Sequence, residues 1–221
     1  RVQVVFPPAC ADGGIAMSIR KQAALMMTLD TYEQLGAFAN TKTGLGVHDP
    51  IDDILGELYA KGDVKGFISQ AVKFKKNIII SGGTSTGKTT FMNAALTQIP
   101  ANERIITVED AREVQISHIP NRVHLMVSKG GQGRAKVTTQ ELIEACLRLR
   151  PDRIIVGELR GAEAFSYLRA VNTGHPGSIA TIHADSPTLA IEQLILMIMQ
   201  ADLGITRDQI KAYVESVIQV V

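Results

Sequence analysis

Tryptophan is absent from the 221 residues, and the aromatic share is only 5%. A core built from this chain must therefore be aliphatic, drawn from an apolar share of 45%. Cysteine is scarce. Cys10 and Cys146 stand far apart and without metal-ligand spacing, which argues against a disulfide scaffold and suits a reducing compartment. Neither sign of charge is in excess: a formal net charge of +1 gives no general reason to expect nucleic acid or anionic lipid as a direct ligand. Lys73, Lys75 and Lys76 cluster, but no aromatic stacking platform accompanies them, so they read as the solvated end of a helix. No apolar run approaches the roughly 18 residues of a spanning helix, the richest being 194–199. No signal peptide is visible within these residues, nor an internal repeat or a G-x-S-x-G nucleophile motif. Arg1 stands inside a strand-like alternation and Val221 closes an apolar run, so the expectation is a segment of a longer protein.

What is present centres on residues 78–90, IIISGGTSTGKTT. An apolar strand runs into Gly82-Gly83-Thr84-Ser85-Thr86-Gly87-Lys88-Thr89, and a helix-compatible run follows, as the pattern G-x-x-x-x-G-K-[ST] requires. The chemistry explains the residue types. Inward-facing backbone N–H groups cradle a triphosphate only where side chains leave room, which Gly82, Gly83 and Gly87 provide. A helix starting near Lys88 adds its unpaired N–H groups and the positive end of its dipole. Lys88 is placed to reach the β and γ phosphates, and the Thr89 hydroxyl to complete the shell of a Mg²⁺ ion, with Thr90 beside it. Ser85 and Thr86 occupy the tip, where further glycine would be unsurprising.

Along the chain, strands are expected at 1–6 and 15–20 around the turn Asp12-Gly13-Gly14, giving the C-terminal part of a small α+β N-terminal domain over 1–38. A polar, glycine-containing linker is expected at 39–50, long enough to place that domain over its own core or over a neighbour's. From 51 to 221 helices and strands alternate: helices at 52–61 and 63–75, strands at 78–81, 104–109 and 123–127, a helix at 139–149, a strand at 153–156, a helix at 162–172, a strand at 178–183, then helices at 187–200 and 207–221. That alternation predicts an α/β fold, a mostly parallel sheet flanked by helices. Thr138 with Glu141 and Thr206 with Gln209 fit capping boxes, and Ser186-Pro187 fits a capped first turn.

Ligands of an open parallel sheet bind beyond the carboxyl ends of its strands. Three such ends carry Glu109-Asp110, Gly157-Glu158 and His183. If these strands neighbour the one before the loop, two carboxylates and an imidazole converge near a γ-phosphate. Each has a plainer reading. Glu109 pairs readily with Arg112 and Glu158 with Arg160, while His183 on location alone is more often a structural histidine. His175, beside a glycine and a proline, is weaker still.

The segments GGTSTGKT, ITVEDAREV, CLRLRPDRIIVGELRGAEA and TGHPGSIATIHADSP follow in that order. Together they closely resemble the traffic ATPases of type IV secretion and conjugation, within the secretion ATPase superfamily that includes type II secretion and type IV pilus motors. The resemblance implies a P-loop NTPase core of RecA-like fold, hydrolysing ATP with Mg²⁺. Glu109 matches the acidic residue of that family's Asp box and is expected to orient the attacking water, Glu158 matches that of its Walker B segment and is expected in the outer shell of the metal, and His183 matches its His box. Gly157 stands where many other P-loop proteins place a Mg²⁺-linked aspartate. The resemblance further implies phosphate-contacting arginines in the N-terminal domain, matched here by Arg20 and Arg1. It implies a homohexamer at the cytoplasmic side of the inner membrane, with other ATPases and inner-membrane components of the machine as partners and no direct nucleic-acid ligand. Paired CxxC motifs common in type II ATPases are missing, which favours the type IV branch. The alternatives are a type II secretion or type IV pilus ATPase, a P-loop phosphotransferase, and a scaffold that binds nucleotide without turnover.

Overall fold

The computed structural model describes residues 1–21, 27–39, 41, 49–127 and 136–221. At its centre is a sheet of five strands, β3 (Ile78–Ser81), β4 (Ile105–Glu109), β5 (Arg122–Met126), β6 (Arg153–Leu159) and β7 (Ile179–Ile182). All pairings are parallel, in the order β3-β7-β6-β4-β5. Near-continuous apolar runs such as Ile105-Ile106 and Ile154-Ile155-Val156 suit this arrangement, because a parallel sheet is covered on both faces. Successive side chains point to opposite faces. Ile106, Val108, Ile154, Val156 and Ala180 accordingly join one core, shared with helices α5 (Thr139–Leu149), α6 (Glu163–Asn172), α7 (Pro187–Met199) and α8 (Arg207–Val217). Ile105, Ile155 and Ile179 join the other, with helices α2 (Pro50–Ala60), α3 (Val64–Lys73) and α4 (Lys88–Leu96).

The N-terminal segment forms a separate antiparallel hairpin, β1 (Val2–Val5) with β2 (Ala16–Ile19), in the register Val2↔Ile19. Val5 and Ala16 face the α5 side of the core, while Val2, Phe6, Ile15, Met17 and Ile19 are exposed. The link that follows β1 attaches to the far edge of the large sheet: Ala11 N–H donates to the His124 carbonyl at 2.9 Å and Met126 N–H to the Ala9 carbonyl at 2.8 Å. Helix α1 (Leu29–Gln34), capped by Thr28, was not foreseen, and it buries no residue.

Several expectations need correction. Strand β6 does not stop at 156 but continues through Gly157 and Glu158 to Leu159, with a register shift against β7 between Val156 and Leu159. The last helix ends at Val217, and Val220 forms a parallel bridge with Ile78 on the outer edge of β3. Helix α2 begins at Pro50, capped by the Asp49 carboxylate, inside the expected linker; residues 40 and 42–48 of that linker lie outside the described residues. Lys76 is not solvated: it is 9% exposed and pairs with Asp52 at 2.6 Å and Asp49 at 3.2 Å, because the chain turns it under α2. Lys75 Nζ lies 3.5 Å from Glu103.

At the amino end of the sheet Arg153 is fully buried. It donates to both oxygens of Glu103, at 2.7 and 2.8 Å, and to the Val72 carbonyl at 2.6 Å, which ties α3, β6 and the segment before β4 together. Burial alone would raise the Glu103 carboxyl pKa, but the hydrogen bonds and charge of Arg153, with Lys75, hold it below the usual range. A depressed carboxyl contributes stability above its unfolded pKa and loses it as pH falls through the folded value. We expect Arg153→Met to destabilise the chain by about 3 kcal/mol, since Glu103 is then left buried with only the half-exposed Lys75 beside it. Urea unfolding at neutral pH measures this. Pairing the change with Glu103→Gln should recover much of the loss and shrink the acid sensitivity.

Candidate functional site

Ser81 ends β3 and the chain turns through 82–87 into α4. The glycines here are demanded by geometry. A Cβ on Gly82 would stand 2.6 Å from Thr86 Oγ1, and Gly87 has φ +88° at the position before the helix. Gly87 brings no side-chain cap, so the first turn of α4 presents its N–H groups to whatever lies in front. The tip is not glycine: Ser85 is held at φ +59°, a left-handed conformation that costs a non-glycine residue about 1–2 kcal/mol. Thr86 Oγ1 steadies the turn by donating to the Gly83 carbonyl at 2.9 Å.

Strand order decides what faces this loop. β7 adjoins β3 with Ser81 opposite Ile182, so His183 follows directly beside Gly82. Lys88 Nζ donates to the carbonyls of Gly82 and Gly83, at 2.9 and 2.8 Å, and lies 3.3 Å from His183 Nδ1. The next strand, β6, supplies Glu158, whose Oε1 is 2.5 Å from His183 Nε2. That contact is a close approach without hydrogen-bond alignment, and Oε1 has no hydrogen-bond partner. Arg160 Nε donates to Glu158 Oε2 at 2.6 Å and its Nη1 to Asp110 Oδ2 at 2.6 Å. A string of contacts thus runs from Lys88 through His183, Glu158 and Arg160 to Asp110. The plainer expectation of a Glu158–Arg160 pair holds, and His183 contacts Glu158 as well.

Glu109 ends β4, the strand after β6, and is 2% exposed. Its Oε1 accepts from Glu113 N–H at 2.8 Å and Val114 N–H at 2.6 Å; Thr107 Oγ1 donates to Oε2 at 2.7 Å. Arg112, the partner suggested by sequence, stays at 3.8 Å. Burial pushes the Glu109 carboxyl upward, but the adjacent His124 imidazole and these hydrogen bonds outweigh it and hold the pKa below the ordinary value. The segment after β4 is also held from α4: Asn93 Nδ2 donates to the Glu113 carbonyl at 3.0 Å, and Gln115 N–H donates to Asn93 Oδ1 at 2.9 Å.

These groups share one cleft of about 480 Å³, lined by residues 84–90 together with Glu109, Asp110, Glu158, Arg160 and His183. A larger apolar cavity of about 930 Å³ meets it at Thr86, Gly87 and Lys88 and runs along the outer edge of β3 past Phe67 and Phe91. It carries none of the carboxylates named above, so the chemistry belongs to the smaller cleft. Arg1 and Arg20 do not line either space. Both are exposed and sit side by side, Arg20 N–H donating to the Arg1 carbonyl at 2.8 Å, on a hairpin attached at the β5 edge, with β7, β6 and β4 between that edge and β3. His175 is buried with its Nδ1 2.8 Å from the Pro151 carbonyl, a structural role. Sequence reading missed Thr107, His124 and Asn93 as organisers of the site. A threonine two residues before Glu109 in an otherwise apolar strand was the available signal, since the two must share a face.

A phosphate-binding loop between strand and helix, on a parallel sheet with polar strand ends, defines a P-loop α/β core. The chain belongs to the family described as Type II/IV secretion system protein, whose profile matches residues 55–221. Within it, the relatives point to the type IV branch. The chain is 41% identical over its full length to the type IV secretion system protein VirB11 of Bartonella henselae, covering 65% of that protein. It is 38% identical over 92% of its length to VirB11 of Brucella suis, covering 57% of it, and 40% identical to PtlH of Bordetella pertussis, covering 66%. The chain thus spans about two thirds of the length of such relatives. Among solved structures it is similar to the VirB11 ATPase of the Brucella suis type IV secretion system in complex with sulphate, with TM-score 0.91 and 36% identity over the whole chain and 66% of that one. The pilus retraction motor PilT with bound ADP matches over 66% of this chain and 41% of its own, with TM-score 0.53 and 25% identity.

We expect Asn93→Ala to speed amide hydrogen exchange at Gln115 while the β4 amides stay protected. Unchanged exchange there would show that α4 does not hold the segment.

Proposed function

We propose that the chain is the nucleotide-hydrolysing core of a type IV secretion ATPase, binding ATP and turning its hydrolysis into movement within a ring of like subunits. The contact string Lys88–His183–Glu158, set by three neighbouring parallel strands beside the glycine-lined loop, carries this reading. The identity to VirB11 proteins supports it.

The residues fit a Mg²⁺ ion that arrives with its nucleotide. Among the described residues no group of His, Cys, Asp and Glu could hold a metal alone, while the Thr89 hydroxyl lines the cleft at the start of α4 and Glu158 is close enough to the loop to act from the outer shell. When bound, the ion would neutralise charge on the phosphate oxygens. The loop amides and Lys88 hold the triphosphate, which requires Lys88 to leave the carbonyls of Gly82 and Gly83. His183 adds a donor beside the terminal phosphate. Water attacks phosphorus, the bond to the leaving ADP breaks, and a carboxylate orients the water and takes up its proton. Glu158 suits that role better than Glu109, because both oxygens of Glu109 are already engaged and its exposure is 2%. Glu109 then acts by its charge and by shaping the cleft wall.

Arg20 and Arg1 enter in this reading as fixed positive charge supplied to phosphate from a neighbouring copy, since their place at the β5 edge is remote from the loop of their own chain. A closed head-to-tail ring, a homohexamer, provides such a neighbour. In this reading the ring stands at the cytoplasmic face of the inner membrane and touches inner-membrane components of the machine peripherally; among the described residues no helix is long and apolar enough to cross a membrane.

Phosphate release from Mg·ATP, without any added acceptor, tests the reading and separates hydrolysis from phosphotransfer. Lys88→Ala should reduce it to background, and a near-normal rate would defeat the assignment. Single-turnover kinetics distinguish a scaffold that only binds. Arg20→Ala should slow hydrolysis more than it weakens nucleotide binding, and equal losses in both would contradict a role in the transition state.

A further inference from the structure

Glu109 carries the wall of the cleft, and its own orientation rests on a residue outside the motifs. Strand register places His124 of β5 directly opposite Thr107 of β4. Both are buried, His124 at 6% exposure and Thr107 at 0%. His124 Nδ1 lies 2.8 Å from Thr107 Oγ1, and the same hydroxyl is 2.7 Å from Glu109 Oε2. The proton arithmetic allows one arrangement. A hydroxyl has one proton to give, and an ionised carboxylate can only accept. Thr107 therefore donates to Glu109, and its lone pair accepts from His124, which must carry its proton on Nδ1. His124 Nε2 is buried without a partner.

We infer that His124 is a positioning residue of the cleft: its Nδ1–H fixes the Thr107 hydroxyl, which orients Glu109, and Glu109 in turn holds Glu113 and Val114 so that the segment after β4 walls the cleft. Without that donor the Thr107 hydroxyl is free to turn its proton elsewhere, and Glu109 loses a directed partner on Oε2. The carboxylate then keeps the two amides and the more distant Arg112, and the segment bearing Asp110 and Val114 shifts against the phosphate loop. The effect on turnover rests on the reading of this cleft as hydrolytic, whereas the hydrogen-bond relay does not.

The test uses the whole chain. Histidine labelled with ¹⁵N and ¹³C should show His124 as the Nδ1–H tautomer, slow to exchange with solvent; the Nε2–H tautomer overturns the relay. His124→Leu, which keeps apolar volume but no donor, and Thr107→Val should each lower kcat about 10-fold or more while nucleotide affinity stays within about 2-fold. Because the two act in one chain, the double variant should be little worse than either alone, and losses that multiply would show independent packing effects. His124→Asn, whose amide N–H can stand near the Nδ1 position, should recover most of the loss, which a merely structural histidine would not explain. Folded His124→Leu with unchanged kcat overturns the proposal. If the unaltered chain shows no hydrolysis, the function proposed above fails by itself, and amide exchange decides this inference: faster exchange at Glu113 and Val114 in His124→Leu supports it, and unchanged exchange overturns it.

Discussion

Everything at this site depends on parallel strands that leave the core together at their carboxyl ends. A strand buried on both faces tolerates little charge in its middle, so charged groups gather at its two ends. In this chain β3, β7, β6 and β4 stand next to one another and deliver, in that order, the phosphate loop, His183, Glu158 and Glu109. Residues far apart in the chain become neighbours without any long side chain having to search for its partner.

The two glutamates resemble each other in sequence and differ in environment. Glu109 is enclosed and accepts from two backbone amides and a hydroxyl. Its buried charge is tolerated because every approach to it is a donor. Glu158 sits on the irregular stretch of β6, where the register against β7 shifts, and that shift turns it toward His183 and Arg160. Both of its partners are substantially exposed, so its pairing can be exchanged more readily than that of Glu109.

Much of the fold was legible because the signals were local. Apolar runs announced the sheet, G-x-x-x-x-G-K-T announced the loop, and the capping boxes at Thr138 and Thr206 fixed helix starts that the structure reproduces. The less legible features were those decided by partners distant in sequence. Lys76 read as solvated because nothing nearby hinted that Asp49 and Asp52 would close over it. The extra length of β6 depends on its neighbours, since Gly157 and Glu158 have no strand signature of their own. His124 looked like one scattered histidine until the pairing of β4 with β5 set it opposite Thr107. The arginines of the hairpin, named by resemblance, lie away from the cleft of their own chain, a placement that no local pattern encodes.

The cations of the cleft are already occupied: Arg160 lies between Glu158 and Asp110, and Lys88 is turned onto the carbonyls of Gly82 and Gly83. A polyanion entering it cannot simply add to a waiting positive field. It has to compete with two loop carbonyls for Lys88 and with Glu158 and Asp110 for Arg160. The same competition would free Glu158 from Arg160, coupling the arrival of phosphate to the release of the carboxylate proposed as proton acceptor.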